Sequence, residues 1–183
     1  HASAGFAGDG DVVYLIGSAS LQGDPSTLAG SEYQDVILGK VEGQPWLDLD
    51  LEVKTQQACR DGIVAGIVQS AHDVSEGGLA VALAEAAILG KRGVTVDLNP
   101  GRRWDAALFG EAQSRIIVTV TADQTGELER VVVNAGAPLL RLGTTGGDRL
   151  VIGDLVNLSL VDVSERWLRG FRDATQNTPP TTS

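Results

Sequence analysis

The stretch SAHDVSEGGLAVALAEAAILG, Ser70 to Gly90, decides how this chain folds. Ser70 to Asp73 reads as a short strand or its end. Gly77 to Leu89 then reads as a helix that is apolar on nearly all sides apart from Glu85. Such a helix cannot lie on a surface, so it belongs between other elements. A layered domain follows, with strands on at least one side of this helix.

Upstream, VVYLI (Val12–Ile16) is an apolar run after Gly8-Asp9-Gly10-Asp11 and reads as a buried strand. Ser18 to Gly30 is a loop rich in Gly, Ser, Asp and Pro. Ser31 caps a short helix ending before Gly39, and Asp48 or Asp50 starts another running towards Val68. Downstream, Gly93 to Leu98 alternates as a strand, and RIIVTVT (Arg115–Thr121) carries the strongest strand pattern in the chain. Ala122 to Ala135 is an amphipathic helix closed by Gly136. Leu139–Leu142 and Leu150–Ile152 read as two strands joined by a hairpin turn at Gly146-Gly147-Asp148. A last helix, Ser164 to Phe171, precedes a polar tail. About five or six strands among helices predict an α+β sandwich, with a mixed sheet covered on both faces.

The 183 residues suffice for one sizeable core. An apolar fraction of 43% with 21% charged residues is ordinary for a globular domain. The formal net charge of -10 argues against a nucleic-acid or anionic-membrane surface, so any anionic ligand must be held locally. No apolar run has the length of a membrane span. The single Cys59 provides no internal disulfide and no cysteine metal site, which favours a reduced, cytoplasmic setting. The chain opens on His1 and contains no Met, which reads as a processed or excised piece of a longer protein.

Chemistry concentrates in two places. In the opening stretch Ser75 suits an N-cap, its hydroxyl accepting from the amide of Gly77 or Gly78. Gly77 and Gly78 leave helix-start amides open to a phosphate oxygen. Asp73, at a strand end, is a hard oxygen ligand suited to Mg²⁺ shared with a phosphate. The same residues equally suit a plain helix cap packed close to a strand, with His72 as an interior histidine. The second place is LFGEAQSRIIVTV, Leu108 to Val120. There Glu111, Gln113 and Arg115 precede the strongest strand, where an Arg could clamp an anion, or a solvated loop with an ion pair could stand. Arg102-Arg103 before Trp104 reads as an exposed turn. Cys59 lies in a helix with Arg60 as its only basic neighbour, a poor setting for a catalytic thiol.

Taken together, AHDVSEGGLAVALAE, LFGEAQSRIIVTV, GSEY (Gly30–Tyr33), GDVVYLIG (Gly10–Gly17) and GGDRLVIG (Gly146–Gly153) occur in the order seen in another family. The chain resembles the C-terminal portion of phosphoribosylformylglycinamidine synthase, from the second of that enzyme's two homologous halves. The likeness runs from about Gly10 to Phe171. It implies a three-layer α/β/α domain of the aminoimidazole ribonucleotide synthetase-like superfamily, over 11–172, between a flexible start at 1–10 and a disordered tail at 173–183. The box Gly110–Arg115 departs from the usual Gly-Glu-Ser-Gln-Gly-Arg in two places, Ala112 for Ser and Ser114 for Gly.

The resemblance also implies a function. The parent would be an ATP-dependent ligase of purine biosynthesis, converting formylglycinamide ribonucleotide, ATP and glutamine to formylglycinamidine ribonucleotide, ADP, phosphate and glutamate. Asp73 would be an Mg²⁺ ligand, and Ser75, Gly77 and Gly78 would face nucleotide phosphate. Glu111, Gln113 and Arg115 would contact substrate. No catalytic residue is expected in this chain, which would be inactive alone. Its partners would be the N-terminal remainder of the synthetase and a glutaminase supplying ammonia. An apolar face left where the remainder docks could drive homo-oligomers. Two alternatives stand beside this reading. One is a structural half with an auxiliary nucleotide site. The other is the C-terminal domain of a sister enzyme, aminoimidazole ribonucleotide or selenophosphate synthetase.

Overall fold

The computed structural model describes residues 2–21, 23–97 and 100–176, with only the backbone of 171–176. VVYLI forms β1 (Val12–Ile16), buried along its whole length. Val13 and Leu15 enter one core, while Val12, Tyr14 and Ile16 enter another. This is the alternation of a strand covered on both faces. β1 is flanked by two antiparallel strands, β4 (Ile116–Val120) and β5 (Leu139–Thr145). β2 (Ser70–Asp73) lies beyond β4, and β3 (Val94–Val96), β6 (Arg149–Ile152) and β7 (Val156–Ser159) continue past β5. The seven-stranded sheet has the order β2-β4-β1-β5-β3-β6-β7, and among these strands of the described residues β3 with β6 is the parallel pair.

Helices cover both faces. Leu79, Leu83, Ala86 and Ala87 of α3 (Gly78–Gly90) fill one core, together with Leu108 of α4 (Trp104–Phe109) and the first turns of α6 (Leu160–Gln176). The near-uniform apolarity of α3 is accounted for, because α4 and α6 pack on the side that the sheet leaves open. Ala58 and Cys59 of α2 (Leu49–Val64) and Leu128 and Val132 of α5 (Thr125–Ala135) fill the other core. The expected three-layer α/β/α arrangement with a mixed sheet is the one observed. α1 (Glu32–Leu38) buries none of its residues. It begins as expected, with the Ser31 hydroxyl accepting from the Gln34 amide, while Asp48 caps α2 through the amides of Asp50 and Leu51.

Four readings of the sequence need correction. The turn at Gly146-Gly147-Asp148 does not close a hairpin. β3 is inserted between β5 and β6, and the turn wraps its start: the Gly93 amide donates to the Gly147 carbonyl, and the Gly146 amide donates to the Gly93 carbonyl. Short-range pattern could not see that a third strand intervenes. Secondly, α4 and β7 were not anticipated. α4 is short with no side-chain cap, and β7 is a half-exposed edge strand. Thirdly, the start of the chain is packed. Ser3 bridges Ser70, the Phe6 amide donates to the Ala86 carbonyl, and Phe6 is buried against α3. Finally, α6 runs to Gln176, through the first residues of the tail expected to lack structure. The rest of that tail, 177–183, lies outside the described residues, as do His1 and Leu98, the expected end of β3.

Candidate functional site

The chain leaves edge strand β2 at Asp73, and the Val74 amide donates to the Arg115 carbonyl at 2.9 Å. This bond ties the start of the α3 turn to the residue just before β4. The Ser75 hydroxyl donates to Asp73 Oδ2 at 2.8 Å, so it does not cap α3. The cap is Gly77, in the left-handed region at φ 79°, and Gly78 follows at φ 72°. Two successive left-handed residues turn the chain into α3, and L side chains resist that conformation. Gly78 has a further constraint, since a Cβ there would lie 2.8 Å from the carbonyl oxygens of both Leu108 and Gly110. The glycine pair is thus demanded by the backbone, whatever it binds.

The box Gly110–Arg115 closes over this turn. The Glu111 amide donates to the Thr27 carbonyl. Its Oε1 accepts from two amides, Gly77 at 2.9 Å and Glu32 at 2.8 Å. A carboxylate therefore already stands where helix-start amides favour negative charge. Beside it, the ring of Tyr33, from GSEY, stacks on Phe109 with centroids 5.3 Å apart. Arg115 is half-buried, with its guanidinium donating to the carbonyls of Ala112 at 3.1 Å and Gly110 at 2.5 Å. Burial pushes its pKa down to about 10, and the neighbouring Glu111 carboxylate partly opposes this. Arg115 holds the loop in shape. Ser114 takes φ 64°, a conformation that favours Gly, and its hydroxyl donates to Glu52 Oε2 at 2.5 Å.

Two depressions meet at this box. One, of about 290 Å³, brings Asp73 and Ser75 together with Gln113, Ser114 and Arg115, opposite Glu52 and Thr55 of α2. The other, of about 220 Å³, shares Gln113, Ser114 and Arg115 and is bounded by Asp24, Trp46 and Asp48. The residues singled out from the sequence therefore form one neighbourhood. Asp73, Ser75, Gln113 and Arg115 line the first cavity, while Gly77 and Glu111 are joined directly, with Gly78 beside them. His72 is engaged by the Asp73 carbonyl at 2.7 Å and by Glu85 of α3, 3.6 Å away. Arg103 pairs with Asp105 in an exposed turn, as expected. Cys59 is buried, and burial raises its thiol pKa.

Glu52 and Thr55 were not legible as site residues. They sit mid-helix in an ordinary polar pattern, and only the packing of α2 against Ser114 brings them here. The Thr55 hydroxyl is buried and has no hydrogen-bond partner among the described residues. Among the described residues no three His, Cys, Asp or Glu side chains gather as a self-sufficient metal site. The oxygen donors on the wall of the first cavity include the Asp73 and Glu52 carboxylates and the Ser75 hydroxyl, and they share that wall with the Arg115 guanidinium and the carboxamides of Gln56 and Gln113. The two carboxylates are the type of ligand that suits a hard cation taking most of its coordination from phosphate and water. Among the described residues, no helix is long and apolar enough to cross a membrane.

Comparisons with known proteins bear on the family and the fold. The chain is 45% identical over 179 residues to phosphoribosylformylglycinamidine synthase subunit PurL of Synechococcus sp. (strain JA-3-3Ab), covering 92% of this chain and 23% of that protein. It is 44% identical over 172 residues to the same subunit of Thermomicrobium roseum, covering 91% of this chain and 23% of that protein. The chain thus spans about a quarter of these relatives' length. Among solved structures, Thermotoga maritima PurL complexed with FGAR superposes with a TM-score of 0.72 at 16% identity, over 89% of this chain and 29% of that one. The same protein complexed with ATP gives 0.66 at 16%, over 89% and 27%. At that identity the likeness is one of fold. The family model described as AIR synthase related protein, C-terminal domain, matches residues 8–154, and the chain belongs to that family.

Proposed function

We propose that this chain is the C-terminal domain of a phosphoribosylformylglycinamidine synthase, and that it lends the enzyme contacts to nucleotide phosphate and Mg²⁺. The carrying observation is that SEGG and GEAQSR, far apart in sequence, are joined through Gly77 and Glu111 beside one cavity that has Asp73, Ser75 and Arg115 on its wall. The identity to PurL subunits over most of the chain supports the choice of enzyme. The working domain, in a cytoplasmic enzyme, takes in 11–172 together with the packed residues before it.

In this reading the parent activates the amide oxygen of formylglycinamide ribonucleotide with the γ-phosphoryl group of ATP. Ammonia from a glutaminase partner then displaces phosphate to give the amidine. Such a transfer depends on positioning and charge neutralisation more than on covalent help from the protein. Mg²⁺, when bound, neutralises phosphate charge. Asp73 and Glu52 are the carboxylates of this chain that would hold it, with Ser75 keeping Asp73 oriented through its hydrogen bond. Gly77 and Gly78, which follow Ser75, would offer backbone to the phosphate.

One observation favours a second reading, a supporting half whose nucleotide site is auxiliary. The Gly77 amide that a phosphate would use already serves Glu111. Substituting Asp73→Asn and Ser75→Ala in the full-length synthetase separates the two readings. The first requires a loss of turnover of at least about a hundredfold, as when a charged group positioned on a transferring phosphate is removed. Unchanged turnover sinks it. The 183-residue chain alone is expected to show no ATP- and ammonia-dependent synthesis.

A further inference from the structure

Three separated motifs meet at a single atom. Glu32 belongs to GSEY, Gly77 to SEGG and Glu111 to GEAQSR, and both of the first two donate their amides to Glu111 Oε1. The loop that carries this carboxylate is fixed on each side. Arg115 donates to the carbonyls of Gly110 and Ala112, which flank Glu111, and the Glu111 amide is bound to Thr27. The Gly77-Gly78 turn it holds has little stiffness of its own, since glycine resists no backbone rotation. An acceptor shared by two helix starts removes that freedom, and its negative charge suits both.

We propose that Glu111 is a positioning residue: through one carboxylate oxygen it locks the start of α3 to the start of α1 and so presets the Gly77-Gly78 turn that meets the phosphate. It acts through these two amides, from the border of the smaller depression. The role rests on the reading of that turn as phosphate-facing. It also gives GSEY a task, as the second anchor of the turn. Tyr33 stacked on Phe109 keeps that anchor in place independently of Glu111.

The test uses Glu111→Ala, Glu111→Gln and Glu111→Asp. In the 183-residue chain, amide NMR follows Gly77 and Glu32. In the full-length synthetase, the KM for ATP is measured. Glu111→Ala should shift the Gly77 and Glu32 amide protons upfield together and weaken their protection from exchange, while the amides of β1 and β4 stay in place. The KM should rise by about tenfold, the loss expected for a charge-assisted hydrogen bond. Glu111→Gln, whose carboxamide oxygen still accepts, should restore most of the KM, whereas the shorter Glu111→Asp should not. If either amide ignores Glu111→Ala, the brace does not exist. A Glu111→Gln enzyme as impaired as Glu111→Ala also overturns it, because a charge contact to ligand would then be the role. Should Glu111→Ala not fold, the amide shifts and KM of Glu111→Gln against Glu111→Asp carry the same contrast. Coupled amides with an ATP dependence indifferent to Asp73→Asn and Ser75→Ala would leave the brace standing and remove the phosphate reading.

Discussion

The carbonyl oxygen of Ser114 lies 1.7 Å from where a Cβ on Gly17 would sit. Gly17 ends β1 at φ 95°, and the GEAQSR loop crosses it at this point. Backbone cannot retreat as a flexible side chain can, so Gly17→Ala must displace either the end of β1 or the loop. The expected loss is about 3 kcal/mol or more, in the range of severe backbone and core defects. Gly10→Ala is the control, since Gly10 has φ 81° with no atom near its Cβ position. It should lose only about 1–2 kcal/mol, the strain of a left-handed residue. Urea midpoints of the two variants decide the matter, and equal losses would contradict the close approach.

At Ser114 two effects oppose each other. Its φ of 64° carries strain of about 1 kcal/mol that Gly would relieve, and its hydroxyl makes a bond to the Glu52 carboxylate of about 1.5 kcal/mol or more. Ser114→Ala loses the bond and keeps the strain. Ser114→Gly loses the bond and sheds the strain. Chemical unfolding should therefore rank wild type at or above Ser114→Gly, and Ser114→Ala lowest by about 1 kcal/mol. A more stable Ser114→Ala would mean that the Glu52 bond contributes nothing.

Local signals carried much of this architecture. VVYLI reads as a buried strand and is one because it is central, α3 is buried because both its sides are covered, and the Ser31 and Asp48 caps act where they stand. What failed was non-local. Nothing in Leu139–Ile152 tells that Val94–Val96 slips between its two strands, and nothing in Ser75 tells that its hydroxyl prefers Asp73 to its own helix. Likewise the candidate site residues stood out by residue type and motif, whereas Glu52 and Thr55 became visible only once α2 was laid beside Ser114.

Phe6 illustrates how the start of the chain is held. It is 2% exposed and packs in the core beneath α3, whose Gly90 lets it approach: a Cβ there would lie 2.4 Å from the Phe6 carbonyl oxygen. Phe6→Ala should destabilise by about 3–5 kcal/mol, the usual range for a large buried aromatic. Thermal unfolding by circular dichroism reads this. A change near zero would mean that the first residues detach freely from α3.

Alkaline pH probes the second core. Burial raises the Cys59 thiol above its ordinary range, so the folded state keeps its proton where the unfolded chain has released it. Stability from this group is therefore complete below the unfolded thiol range and declines as pH rises through it, because the unfolded state then binds fewer protons. Tyr14, raised by burial and then by Glu129, adds a loss of the same sign at still higher pH. Arg115 opposes both, since a guanidinium pushed down to about 10 gains folded-state stability above that pH. Between neutrality and pH 10 Cys59 acts first. The midpoint of urea unfolding should fall over that interval in the wild type and fall less in Cys59→Ala, whatever the offset between the two proteins at pH 7. Parallel pH profiles would show that the thiol ionises as readily folded as unfolded, and that α2 does not seal it against the sheet.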